Sequence, residues 1–284
     1  MTTCHEAPGL TADWLNGWLA AIGATVLVPQ LSLRWTDEVV PSAVFQGDVA
    51  DVVQAVADAL PTEASLDESV IARSRDGFLD FSRNVSLEAY RERAAVERET
   101  HSSLLAASVS DLREDADLAN LEHGAFDPPA PRGETLWSRA RKCAGVIPVD
   151  QRVQWVRQSL EGLGQRRPLN GLGFDARRLV GSADPSEVFA DPVIELLCFE
   201  ALALFPTRGD GRRRIFERGW TNRQTRRGAF EWAAWRPLLD RWAIDAFLDI
   251  AEPDRRDVIG RWTVVPYQPR GDETNRAYFA ERLK

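Results

Sequence analysis

Arginine is the residue type with which this chain offers chemistry. Of its 35 basic side chains only Lys142 and Lys284 are lysines. Eight arginines fall between positions 208 and 227, in RGDGRRRIFERGWTNRQTRR, against Asp210 and Glu217, so this window carries a net +6. A guanidinium is a planar fork of N–H donors that meets the oxygens of a phosphate or carboxylate two at a time. The spacing points to one exposed anion-contacting surface made of Arg212, Arg213, Arg214, Arg218, Arg223, Arg226 and Arg227. If RRRIF is extended, Arg212 and Arg214 share one face and Arg213 takes the other, with Ile215 and Phe216 holding the strand to the core. Trp220, with Trp232 or Trp235, would either pack in the core, the commoner place for tryptophan, or flank that surface, where an exposed indole gives a nucleobase a platform to stack on. A solvated face without a ligand, or an acidic protein partner, accounts for the same arginines.

Catalytic constellations are absent from the local sequence. The histidines are His5, His101 and His123, and none lies in an HxxxH or HxH arrangement. His5 adjoins Cys4, but no second such pair exists, and His123 reads as a helix end before Gly124. Cys4, Cys143 and Cys198 are too widely spaced for a zinc site or a disulfide framework. No G-x-S-x-G elbow is present. Residues 162–173 contain two GLG triplets, yet the G-x-G-x-x-G spacing fails and the P-loop Lys–Ser/Thr is missing. The sequence therefore implies no metal, no organic cofactor and no assigned catalytic residue. A site assembled from distant Asp, Arg and Tyr side chains would leave no such trace.

Charge divides the chain. Residues 1–127 hold 8 basic and 22 acidic side chains, net −14, whereas residues 128–284 hold 27 and 21, net +6. The switch coincides with the Pro-rich FDPPAPRG at 126–133, which reads as a linker or long surface loop. An acidic part at 1–127 and a more basic part at 128–284 follow, either as two units or packed as one domain. The hydrophobic fraction of 44% is ordinary for a folded protein. No apolar run approaches the roughly 18 residues of a membrane span, and no basic-then-apolar leader opens the sequence. A soluble, cytoplasmic protein without membrane contact is expected.

The elements that must position the arginines are legible in part. The central one is DPVIELLCFEALALFP at 191–206, an apolar helix with Asp191 as N-cap and Pro192 at N1. Leu196, Leu197 and Phe199 belong in the core. Before it, residues 1–9 read as a loose lead-in, Thr11 as the cap of a helix that Gly23 ends, and residues 24–28, 31–36 and 42–45 as short strands. Asp48 is expected to cap a helix to Leu60, and Ser86 a long charged helix to about residue 108. Later come a helix from about Asp150 to Leu160, a short strand at 174–180 and the strand AFEWAAW. A helix at 240–250, a strand at 261–267 and a closing helix at 272–283 complete the chain. Short, mostly antiparallel strands with five to seven helices make an α+β protein.

Two groups of segments resemble a known family. PGLTADWLNGWLAAIGATVL (8–27) followed by LRWTDEVVPSAVF (33–45) is similar to the opening of proteins of type I-G (also called I-U) CRISPR systems, with a W/F-L-x-x-x-G-x-x-x-L helix and then a Trp-containing strand. FDARRLV, DPVIELLCFEALALFPTRG and FEWAAWRPLL, between 174 and 239, resemble the same proteins through a strand, a capped apolar helix ending in LFP and an F-x-W-x-x-W strand. The resemblance implies an accessory or large-subunit-like component of an RNA-guided antiviral complex, working beside its helicase–nuclease. Its partners would be other CRISPR effector subunits and crRNA or target DNA. The chain lacks a histidine–aspartate nuclease motif and a helicase P-loop, so it would not itself be the nuclease. A pI of 5.1 is low for a nucleic-acid binder acting alone. The charge division eases that conflict, because the acidic half can face a basic protein. A protein-only assembly factor whose arginines dock acidic partners, and an enzyme with a site not visible in the sequence, are the competing readings.

Overall fold

A computed structural model describes residues 3–68, 95, 109–110, 122–123, 126, 136–173, 175–179, 188–206, 208–209, 215–216, 218–221, 228–250, 256–267 and 277–283. Among these residues the fold is α+β, with seven α-helices and two four-stranded antiparallel sheets. The first sheet has the order β1-β3-β2-β10, from β1 (Thr3–Thr11), β3 (Ser42–Gly47), β2 (Leu31–Trp35) and β10 (Leu239–Asp240). The second is β12-β11-β9-β8, from β12 (Ala277–Leu283), β11 (Val258–Tyr267), β9 (Ala229–Trp235) and β8 (Trp220–Thr221). Two-stranded pairs join β4 (Val109–Ser110) to β5 (Glu122–His123) and β6 (Arg208–Gly209) to β7 (Ile215–Phe216). The helices are α1 (Leu15–Leu27), α2 (Val52–Ala59), α3 (Glu63–Glu68), α4 (Leu136–Gly145), α5 (Arg152–Leu160), α6 (Pro192–Ala201) and α7 (Arg241–Leu248).

The core is built on α1 against α6. Every residue of α1 from Leu15 to Thr25 is buried, and so is every residue of α6 except Glu200. Apolar side chains cover both helices on most sides, which only a fully enclosed helix tolerates. Asp191 caps α6 as its sequence requires, accepting from the amides of Val193 (3.0 Å) and Ile194 (3.4 Å). Leu196 and Leu197 are inaccessible to solvent, and Phe199 nearly so. Gly23 does not end α1. It lies within the helix where the α6 backbone crosses, and a Cβ there would stand 1.8 Å from the Leu197 carbonyl oxygen. Residues 24–27, expected as a strand, are instead the last turn of α1. Packing against α6 overrides the stop signal, because the glycine supplies close approach rather than a turn.

Other expectations change for similar reasons. The lead-in is the nine-residue strand β1, paired with β3 from Thr3–Gly47 to Thr11–Ser42 with an irregularity between Ala7 and Thr11. Its buried positions are Ala7, Gly9 and Leu10, so they do not alternate regularly, and at Gly9 a Cβ would lie 2.2 Å from the Ser159 carbonyl oxygen at the end of α5. Strand β1 thus lacks the bulky alternation that marks a strand in sequence. The α2 cap is Asp51, not Asp48; its side chain accepts from Val53 N and Gln54 N. A 3-10 turn at Ala176–Leu179 replaces the expected strand. Residues 277–283 form strand β12 in full register with β11 rather than a helix. His123 is in β5, not at a helix end. The expected long helix at 87–108, apart from residue 95, and the segment 69–83 lie outside the described residues.

The two charge halves meet in one hydrophobic cluster. Trp18 of α1 contacts Phe230 and Trp232 of β9, each with ring centroids 6.2 Å away. Trp35 of β2 meets Trp235 edge-on at 6.1 Å, and β10 completes the first sheet by pairing with β2. Phe126, at the start of the expected linker, is buried and contacts Phe230 at 5.0 Å; residues 127–133 lie outside the described residues.

Two core variants test this packing. Leu197→Ala should lower unfolding stability by about 2–5 kcal/mol, through reduced burial and the cavity left behind. Gly23→Ala should cost about 1–3 kcal/mol although alanine is the better helix former, because the helices must separate. Urea unfolding measures both, and a Gly23→Ala protein as stable as wild type would contradict the close approach.

Candidate nucleic-acid interface

The arginine segment leaves α6 through a 3-10 turn at Leu202–Leu204 and enters the β6–β7 pair, where Arg208 faces Phe216 and Gly209 faces Ile215. Arg212, Arg213, Arg214, Arg223, Arg226 and Arg227 lie outside the described residues. Arg218 is described, and it departs from expectation. Its side chain is only 8% exposed. Nε donates to Asp249 Oδ1 (2.7 Å), Nη2 to Asp249 Oδ2 (2.5 Å) and Nη1 to the Leu204 carbonyl (2.7 Å) and to Asp245. Burial opposes its charge, but hydrogen bonds to the two aspartates outweigh that and hold its pKa above the ordinary arginine value. The reason is local. Asp245 and Asp249 stand one turn apart at the C-terminal end of α7, where carboxylates meet the negative end of the helix dipole. Arg218 neutralises them and is an internal clamp rather than part of an exposed surface.

A cleft of about 270 Å³ opens beside this clamp, lined among others by Trp220, Phe230, Trp232, Phe247 and Arg261. The tryptophans expected to flank the patch divide. Trp232 and Trp235 are core residues, 5% and 0% exposed. Their indole N–H groups donate to the carbonyls of Ala12 (2.7 Å) and Leu33 (3.0 Å). Trp220 is half-buried and touches Phe230 at 5.4 Å. It is the one of the three that reaches the surface.

A second polar cluster joins residues far apart in sequence. Asp175, buried, accepts from the Trp14 indole N–H and from the Arg177 amide, each at 2.8 Å. The Arg177 guanidinium lies over the Trp14 ring, 3.7 Å from its centroid. Arg166 Nη2 donates to the carbonyls of Phe189 (2.8 Å) and Arg177. Burial raises the Asp175 carboxyl above its ordinary range, although the Trp14 hydrogen bond and the Arg177 amide oppose this. Sequence reasoning missed this cluster because Trp14 and Asp175 are 161 positions apart. The only local trace is the density of arginine at 166–178.

Other buried polar groups lie within the core. Glu195 of α6 accepts from Asn16 Nδ2 (3.1 Å) and from the Leu172 amide (2.6 Å). Burial, reinforced by Glu195, pushes the thiols of Cys143 and Cys198 well above their ordinary value, so neither supplies a thiolate near neutral pH. Cys4 and His5 are neighbours on β1 and therefore point to opposite sides of the strand. Among the described residues no group of three or more His, Cys, Asp and Glu side chains is arranged to hold a metal. No described helix is long and apolar enough to cross a membrane. Comparison with protein-family models, curated proteins and solved structures finds no match.

Two carboxyls on and before α6 make stability depend on pH. Burial raises Asp191 from 3.8 to about 6, against the hydrogen bond from Ser159, and desolvation at a partly buried position raises Glu200 from 4.5 to about 7. A carboxyl whose folded pKa exceeds its unfolded one stabilises the fold when protonated. That contribution is complete below the unfolded pKa and is lost as pH rises through the folded one. Unfolding free energy contributed by Glu200 should therefore fall between about pH 4.5 and 7. Glu200→Gln should remove this slope and raise stability at pH 8 by about 1–3 kcal/mol. Parallel denaturation curves of wild type and variant at pH 5 and pH 8 measure it, and equal pH dependence would refute it.

Proposed function

We propose that this chain is a non-catalytic subunit of an RNA-guided antiviral complex of the CRISPR type I-G kind, contacting crRNA or target DNA and other effector subunits in the cytoplasm. One observation carries the reading. The separate segments that resemble that family converge in space: α1 packs on α6, and Trp18 and Trp35 meet β9. Trp18 Nε1 donates to the Ala233 carbonyl (3.0 Å) and Trp235 Nε1 to the Leu33 carbonyl (3.0 Å). The resemblance thus falls on one connected unit rather than on scattered apolar runs. The net +6 of positions 208–227 suits phosphate, and the net −14 of residues 1–127 suits a basic protein partner.

Arg218 favours attention to a second reading, a protein-only assembly factor. It is the described member of the arginine set, and it binds carboxylates. In that reading the other arginines do the same across an interface with an acidic subunit.

A salt titration of the assembled complex separates the two. The triple variant Arg223→Ala/Arg226→Ala/Arg227→Ala should reduce the log–log salt slope of nucleic-acid binding by roughly 0.7–0.9 for each phosphate those side chains neutralise. An unchanged slope with the complex intact would reject the nucleic-acid role of this loop. Failure to assemble without nucleic acid present would favour the assembly factor.

A further inference from the structure

Strand β9 has an edge that its neighbour covers only in part. β8 pairs with β9 at Ala229 and Phe230, and the Glu231 amide then donates to the Gly219 carbonyl at 2.8 Å. Among the described residues no strand continues β8 beyond that point. Backbone groups of alternate residues in an antiparallel strand turn to the same side, so the Glu231 carbonyl and the Ala233 amide also face this edge. The Ala233 carbonyl there accepts from the Trp18 indole (3.0 Å). Gly219, at φ +73°, keeps the edge open: a Cβ on it would stand 2.8 Å from the Glu231 carbonyl oxygen. The cleft beside Arg218 runs along this stretch, for Gly219, Glu231 and Ala233 line it. An acceptor and a donor thus stand side by side where Trp220 and Phe247, both half-buried, supply aromatic walls.

Size and charge limit the occupant. The volume of about 270 Å³ falls just under the roughly 300 Å³ at which sites for drug-sized ligands begin, so a single ring system fits. The charged residues lining the cleft are Arg218, Arg261, Glu231 and Asp249, two of each sign, which suits a neutral ligand rather than an anion. We propose that the cleft takes up one base of a single-stranded nucleic acid, its ring against Trp220 and Phe247 and its Watson–Crick edge on the Glu231 carbonyl and the Ala233 amide. Every base carries a donor beside an acceptor on that edge, N6–H and N1 in adenine or N3–H and O4 in uracil, so the contact tolerates any sequence. A phenylalanine side chain has no such pair, which favours a base over an apolar aromatic anchor from a partner protein. The flanking phosphates fall outside the cleft, on the segment 208–227 that forms one of its walls. That segment carries net +6, and subtracting the two aspartates that Arg218 neutralises, Asp245 and Asp249, leaves +4 for them.

This inference rests on the nucleic-acid reading of the chain, and the test separates the two. The probes are a single-stranded oligonucleotide, an abasic strand of the same length, and a strand of ring isosteres without the donor–acceptor pair. Each is titrated against the full chain over a range of salt. Wild type should bind the natural strand roughly 5- to 150-fold more tightly than the abasic one, the gain from one stacked base, and several-fold more tightly than the isosteres. Trp220→Ala should remove most of this preference without changing the log–log salt slope, because the indole meets no phosphate. Trp220→Phe should restore part of it. Trp220 also packs on Phe230, so thermal melting of Trp220→Ala checks its folding. Ile250→Trp is a second variant: Ile250 lines the cleft and is exposed, so the larger side chain should block the mouth and abolish the preference with the core undisturbed. A base preference that survives both Trp220→Ala and Ile250→Trp would overturn the proposal, as would isosteres that bind as tightly as natural bases. Equal binding of natural and abasic strands, with a slope that the Arg223/Arg226/Arg227 variant still reduces, would overturn the cleft and leave the wider reading standing. No oligonucleotide binding by wild type at low salt would overturn both. If a peptide bearing an aromatic residue binds with Trp220 dependence and the oligonucleotide does not, the occupant is a protein and the proposal fails.

Discussion

The interaction on which the fold depends is the crossing of α1 and α6 at Gly23. The Leu197 backbone occupies the space that any side chain at Gly23 would need. Because the helices come this close, Asn16 reaches Glu195 and Cys198 reaches the Asn16 carbonyl at 3.1 Å. Asn16 Nδ2 and the Cys198 thiol thereby find partners in a dry core, whereas Asn16 Oδ1 finds none among the described residues. The same crossing presents Trp18 to β9, and through Trp18 the second sheet is fastened to the first half of the chain. Loosening the helices would therefore loosen both sheets together.

Arginine serves three different ends in this framework. Arg218 is internal and neutralises two carboxylates at the end of α7. Arg177 is exposed but braced, with an aromatic face beneath it. Arg236 is a surface tie, donating to the carbonyls of Arg256 (3.0 Å) and Val258 (2.6 Å) and to Asp37 (3.1 Å). A count of arginines along the sequence treats these alike. What separates them is the supply of acceptors nearby: carboxylates and carbonyls take up the forks of Arg218 and Arg236, whereas Arg177 rests over an indole.

Legibility in the sequence followed the range of the interaction responsible. The α6 cap was readable because Asp191, Pro192 and the apolar run are neighbours, and β2 because Leu31, Leu33 and Trp35 alternate inward. The antiparallel α+β class followed from such local signals. Gly23 misled because a stop glycine and a crossing glycine look identical until the second helix is placed. Strand β1 was hidden because its buried residues Ala7, Gly9 and Leu10 do not alternate regularly, and β12 by a sequence whose register is set by β11. At the candidate site the inward turn of Arg218 depended on α7, 27 and 31 residues downstream. The Trp14–Asp175 bond spans more than half the chain and has no local signature at all.

The central claim is that the second half of the chain meets nucleic acid and the acidic first half does not. Ultraviolet cross-linking of nucleic acid to the assembled complex, followed by peptide mapping, tests it most directly. Cross-linked peptides should come from residues 208–227 and be absent from the acidic stretch 88–122, because the net −14 of residues 1–127 repels phosphate. Cross-links concentrated at 88–122 would contradict the claim.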